Sequence, residues 1–161
     1  MKSFLAVTVI AALILAVVVF AFRNQAPRFV SVNPTETPVP KKTLKIGESE
    51  VKVEIADSTE KMRLGLGERN SLADREGMLF LYNIKRPAVF WMKGMRFPLD
   101  IIWIADGKVV QIDKQAPHEP GVADPDLKRY ISNEPVDAVL EVNAGFAEKN
   151  GIKVGDPVVI P

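Results

Sequence analysis

The chain has no cysteine and only one histidine, His118. The first absence removes a disulfide framework, a thiol nucleophile and a lipid-modified cysteine. The second removes three-histidine centres, two-histidine carboxylate triads and most histidine-assisted serine hydrolases. There is no Walker loop, and no glycine fingerprint for dinucleotides follows a strand. An excess of charge of one sign is missing too, since the formal net charge is +1. Setting aside Lys2 and Arg23, which flank an N-terminal apolar run, leaves 19 of the 21 basic residues against 20 acidic ones. Such a balance gives no electrostatic footprint for nucleic acid. Standard metal, phosphate and cofactor enzymes are disfavoured, and the sequence calls for no cofactor and no metal.

What is present begins with Phe4 to Phe22, a run of apolar residues interrupted only by Thr8. A stretch of roughly 18 or more such residues suffices to cross a bilayer core. The rival reading is a cleaved secretory signal, whose apolar region usually spans about 7 to 15 residues before a small-x-small site. Here the run is longer, Asn24 stands where a small residue is wanted, and Pro27 would follow the cut after Ala26. The expectation is a retained transmembrane anchor over residues 1–23, embedded through residues 4–22, with the following domain on the extracytoplasmic side of the cell membrane.

Residues 24–42 carry Pro27, Pro34, Pro38 and Pro40 without a hydrophobic period, as in a semi-extended linker. The remainder, 43–161, reads as one β-rich domain, a compact barrel or sandwich with two short helices. Thr43 to Ala56 alternates around Gly47-Glu48-Ser49-Glu50, which predicts a hairpin with Lys45, Glu50, Lys52 and Glu54 facing solvent. Asp57 to Glu60 resembles a helix start capped by Asp57. Strands follow at Met78 to Tyr82, Ala88 to Lys93, Asp100 to Ala105 and Lys108 to Asp113, the last two joined by Asp106-Gly107, a favoured hairpin turn. A polar loop runs from Gln115 to Lys128. Asp137 to Val142 reads as a buried strand, Ala144 to Asn150 as a helix capped by Asn143, and Val158 to Ile160 as the last strand.

The residues able to carry chemistry are polar groups set in apolar strands. Asp100 lies between Leu99 and Ile101, and Glu141 between Leu140 and Val142. A carboxylate so flanked is either on a solvent face or buried and paired, and only burial would be chemically notable. Convergence of both with Arg69 would make an acid/base or ligand-orienting site. Phe90 and Met92 should share one side of a strand and Trp91 and Lys93 the other; Trp91 reads first as core and second as the wall of a groove. His118, in a proline-flanked loop, reads as solvent-exposed.

These residues carry a resemblance. Gly65-Leu66-Gly67-Glu68-Arg69, Gly77-Met78-Leu79-Phe80, Phe90-Trp91-Met92-Lys93, Pro98-Leu99-Asp100-Ile101-Ile102 and Val139-Leu140-Glu141-Val142 with Gly145 follow the order and spacing of domain of unknown function 192. The resemblance covers Leu44 to Ile160. It implies a β-rich barrel or sandwich, often behind a signal or anchor segment, and puts Arg69, Trp91, Met92, Asp100 and Glu141 on motif positions. It implies no activity. Where the family more often has an Asn-Thr-type pair, this chain has Gly94-Met95. The expected function is a noncatalytic accessory module whose groove, near Arg69, Trp91, Met92, Asp100 and Glu141, binds a small polar ligand, a glycan or an envelope partner. The alternatives are a hydrolase or lyase of envelope polysaccharide using Asp100 and Glu141 as acid and base, and a structural or assembly subunit.

Overall fold

Strands with apolar residues at every second position bury one face, whereas strands apolar at every position must be covered on both. Both kinds occur here. The computed structural model describes residues 39–161; the expected anchor and nearly all of the linker lie outside them. Among the described residues no helix is long and apolar enough to cross a membrane.

The first hairpin pairs β1 (Lys42–Ile46) with β2 (Ser49–Ala56). A short helix, α1 (Thr59–Leu64), then crosses to β3 (Glu76–Arg86), which runs parallel to β2. After β4 (Val89–Phe90) come β5 (Leu99–Ala105) and β6 (Lys108–Ala116), joined by Asp106-Gly107 with both φ angles positive, as the turn requires. A single 3-10 turn at Asp124–Asp126 precedes β7 (Tyr130–Ile131), β8 (Val136–Asn143), α2 (Phe146–Lys149) and β9 (Val158–Val159). Seven strands form one sheet in the order β6-β5-β8-β3-β2-β1-β9, and β4 pairs only with β7.

The sheet curls into a half-barrel, which corrects the expectation of a closed barrel or a sandwich. Its ends touch at one corner, where Val158 N–H donates to Gly107 O at 2.8 Å and Val109 N–H to Asp156 O at 3.0 Å. The central strands serve two cores. All seven residues of β5 are buried, so its two faces need two separate cores. One core gathers Leu44, Val53, Leu79, Ile102, Leu140 and Val142 inside the curl. The other gathers Leu66, Met78, Phe80, Met92, Ile101, Trp103 and Tyr130 on the opposite face, beneath the β4–β7 ribbon and the segment after α1.

Several local expectations are also corrected. Ser58, not Asp57, caps α1 by accepting from Lys61 N–H at 3.3 Å, while Asp57 pairs with Lys61 Nζ at 2.8 Å. The expected strand at Ala88 to Lys93 shrinks to two paired residues. Asn143 caps no helix; its side chain donates to Leu72 O and Ala73 O, and α2 starts at Phe146. Glu54 is buried instead of solvent-facing.

Asp100 is wholly buried and accepts three backbone amides: Gln115 at 2.8 Å, Gly145 at 3.1 Å and Ala147 at 2.9 Å. It thereby ties β5 to the end of β6 and to the turn that carries α2. Replacing Asp100 with Asn turns one acceptor oxygen into a donor facing an N–H, at an expected cost of about 2 to 3 kcal/mol. Urea unfolding should show a lower midpoint with an unchanged slope; a midpoint equal to the parent's would remove this structural role.

Candidate functional site

Along β8 the side chains alternate between the two cores, and Glu141 falls on the face opposite the curl. It stands across from Met78 of β3 and Ile101 of β5. Asp100 stands across from Val142, so the two carboxylates point to opposite faces of the sheet. That register rules out their acting together as an acid/base pair, and with it the geometric basis of the hydrolase or lyase alternative.

Glu141 forms the floor of a groove of about 300 Å³. One wall is α1 and the turn after it, with Met62, Arg63, Leu64, Gly65 and Gly67; the other comprises Phe80 and Tyr82 of β3 with Val89, Phe90, Trp91, Lys93 and Met95. Phe80 meets Phe90 edge-on at 4.8 Å, and Phe90 meets Trp103 edge-on at 5.6 Å, so the wall is a braced aromatic cluster. Gly67 lets the two walls approach: a Cβ there would sit 2.9 Å from Leu64 O and 3.2 Å from Lys93 O. The neighbouring Glu68 N–H donates to Gly94 O at 2.9 Å.

The carboxyl of Glu141 is 5% exposed and has neither a hydrogen-bond partner nor an ion pair among the described residues. Burial alone pushes its pKa up to about 8, with no neighbouring cation to hold it down. At neutral pH it is therefore a carboxylic acid, able to donate one hydrogen bond into an apolar groove. Tyr82, whose hydroxyl pKa is raised by its own burial and lowered by Arg86, feels the same carboxyl.

The five sequence-derived site residues divide. Trp91 and Glu141 line the groove, whereas Met92 is packed in the second core and Asp100 lies on the other face. Arg69 makes a two-pronged ion pair with Glu54, both contacts at 2.7 Å, and this hydrogen bonding holds the Glu54 carboxyl below its usual pKa. Glu54 sits across from Met78 on the groove face, so the ion pair fastens the segment after α1 to β2 beside the groove. Trp91 is not core, as its first reading had it; it is 43% exposed, with the Arg129 guanidinium 4.7 Å above its ring, and Trp103 is the core tryptophan, its N–H donating to Asp113 at 2.7 Å. Lys93 pairs with Asp124, so the loop after β6 is fastened to the groove rim at two points. His118 is exposed in that loop.

Reasoning from sequence missed Met62, Arg63, Tyr82 and Phe90 as groove residues. The signal for Tyr82 and Phe90 was their place on expected strands; Met62 and Arg63 gave none, because a two-turn helix has no readable face.

Because the raised Glu141 pKa means that the unfolded chain releases this proton near pH 4.5 and the folded chain only near pH 8, stability falls as pH rises between those values. The expected slope from this group is up to about 1.4 kcal/mol per pH unit. Glu141→Gln should abolish that slope in denaturant titrations and be the more stable form at pH 8; parallel pH profiles for the two proteins would contradict the burial account.

Comparison with known proteins gives a consistent placement. Residues 42–160 match the model of DUF192, a family described as an uncharacterized ACR. A crystal structure of a protein of unknown function from Novosphingobium aromaticivorans DSM 12444 is 32% identical, with a TM-score of 0.69 over 78% of this chain and 89% of that one. A crystal structure of a candidate transcription regulator from Sinorhizobium meliloti 1021 is also 32% identical, with a TM-score of 0.67 over 75% of this chain and 94% of that one. No curated protein matches the chain. The match across 42–160, supported by both structures, makes this chain a member of the DUF192 family.

Proposed function

We propose that the domain is a noncatalytic binding module for a small molecule with an apolar or aromatic body and a hydrogen-bond acceptor such as a carbonyl. The observation that carries this reading is the unpaired, buried Glu141 carboxyl at the floor of an aromatic groove. A neutral acid in such a place is stabilised when a ligand oxygen accepts its proton and excludes water. A volume of about 300 Å³ is at the small end of ligand sites, which favours a compact molecule over a polymer chain. Among the described residues no second acidic side chain lines the groove, so acid/base work by paired carboxylates has no support here.

The apolar run at residues 4–22 supports presentation of this module from a membrane, on the extracytoplasmic side, with the proline-bearing segment 24–42 as spacer. An envelope component is the ligand source that fits such a placement. The transcription-regulator description of the Sinorhizobium relative is not carried over, because the chain's near-neutral charge offers no phosphate-binding excess.

The test is a titration of the full chain with N-acetyl-L-phenylalaninamide, a neutral aromatic probe with two carbonyl acceptors, followed by fluorescence, with Trp91→Phe separating the groove signal from that of Trp103. A ligand of this size binds with about 0.3 kcal/mol per heavy atom, in the millimolar range. Saturable binding is expected at pH 6, weakening as pH rises through 8, where Glu141 loses the proton it donates. Absence of saturable binding at pH 6, or binding unchanged in Glu141→Leu, would overturn the proposal.

A further inference from the structure

The charged groups at the groove mouth are unevenly matched. Arg63 lines the groove at the last turn of α1, is exposed, and makes no hydrogen bond or ion pair among the described residues. Arg129 stacks over Trp91 and gives two of its N–H groups to the carbonyl oxygens of Leu127, at 3.1 Å, and Asp124, at 3.0 Å, and among the described residues no carboxylate pairs with it. Lys93 is the exception, matched by the side chain of Asp124. On the opposite wall Tyr82 and Val89 bring no charge, and among the described residues no acidic side chain other than the buried Glu141 lines the groove.

Resting on the binding reading above, we propose that the groove's ligand is an anion: an N-acyl amino-acid carboxylate whose apolar body lies against the aromatic wall, whose inner carbonyl accepts from Glu141, and whose carboxylate is held at the mouth by Arg63. The mouth attracts negative charge and disfavours ammonium ligands, although an aromatic groove with a carboxyl would otherwise suit a cation. Arg63 is well chosen for this, since its planar donor fork matches a carboxylate on two edges. Arg129 adds to the field at the mouth, held over Trp91 by its two bonds to backbone carbonyls.

The experiment compares N-acetyl-L-phenylalanine with N-acetyl-L-phenylalaninamide on the full chain at pH 6 by ligand-observed NMR. The two probes share body and carbonyl acceptor and differ in the terminal charge. The acid should bind about 3- to 10-fold tighter at low ionic strength, as expected for one charge-assisted contact at an exposed rim. Salt should shrink the preference, and Arg63→Gln, with unchanged thermal unfolding, should erase it. Amide binding as strong as or stronger than acid binding would overturn the anion proposal while leaving the binding reading standing. Binding of neither probe would overturn both. A preference that survives Arg63→Gln would also overturn it. A blocked tripeptide ending in phenylalanine distinguishes two sources of the same chemistry: tighter binding than the acetylated acid assigns a peptide terminus, and equal or weaker binding assigns a free small acid.

Discussion

The register of β8 between β3 and β5 is the constraint on which the remaining structure depends. Side chains alternate along a strand, so a slip of one residue would drive Glu141 into the core inside the curl and Leu140 into the groove. Both neighbours enforce the observed parity. On the inner face Leu140 meets Leu79 and Ile102, and on the outer face Glu141 meets Met78 and Ile101. Asp100 reinforces it from the inner face, because its amide acceptors on Gly145 and Ala147 follow directly after β8. The carboxyl at the groove floor is thus placed by packing and hydrogen bonds made elsewhere.

Three buried carboxyl groups show three solutions to one physical problem. Asp100 is surrounded by backbone donors and holds chain segments together. Glu54 faces a guanidinium in a two-pronged pair and anchors the segment that walls the groove. Glu141 has neither, and keeps its proton instead. The first two are satisfied within the fold, which leaves Glu141 as the group whose hydrogen-bonding capacity is directed outward. Met78 stands between Glu54 and Glu141 across the sheet, and Arg69 makes its two-pronged pair with Glu54.

Much of this was legible in the sequence where local chemistry dictates geometry. Asp106-Gly107 specified its hairpin, and the uninterrupted apolar runs around Asp100 and Glu141 marked buried strands. Those same runs concealed which face each carboxyl takes, because a strand apolar on both sides has no period-2 contrast to read. That is why Asp100, Glu141 and Arg69 looked like one site. Glu54 was misread for the opposite reason: it continues a clean polar alternation with Lys52, and only the segment folding back after α1 covers it. Trp91 was ambiguous because β4 is two residues long, too short to register as a strand pairing with β7. The two cores sharing one sheet were not legible either, because they depend on how β5, β8 and β3 lie side by side and not on any one segment.

The most direct test of this account is a carboxyl carbon NMR titration of Glu141 in selectively labelled protein. The account predicts a midpoint near pH 8, far above the ordinary glutamate value of 4.5. A Glu141 midpoint in the normal range near 4.5 would mean that the groove floor carries a solvated negative charge, and a groove built to offer a neutral acid to a ligand would no longer describe this protein.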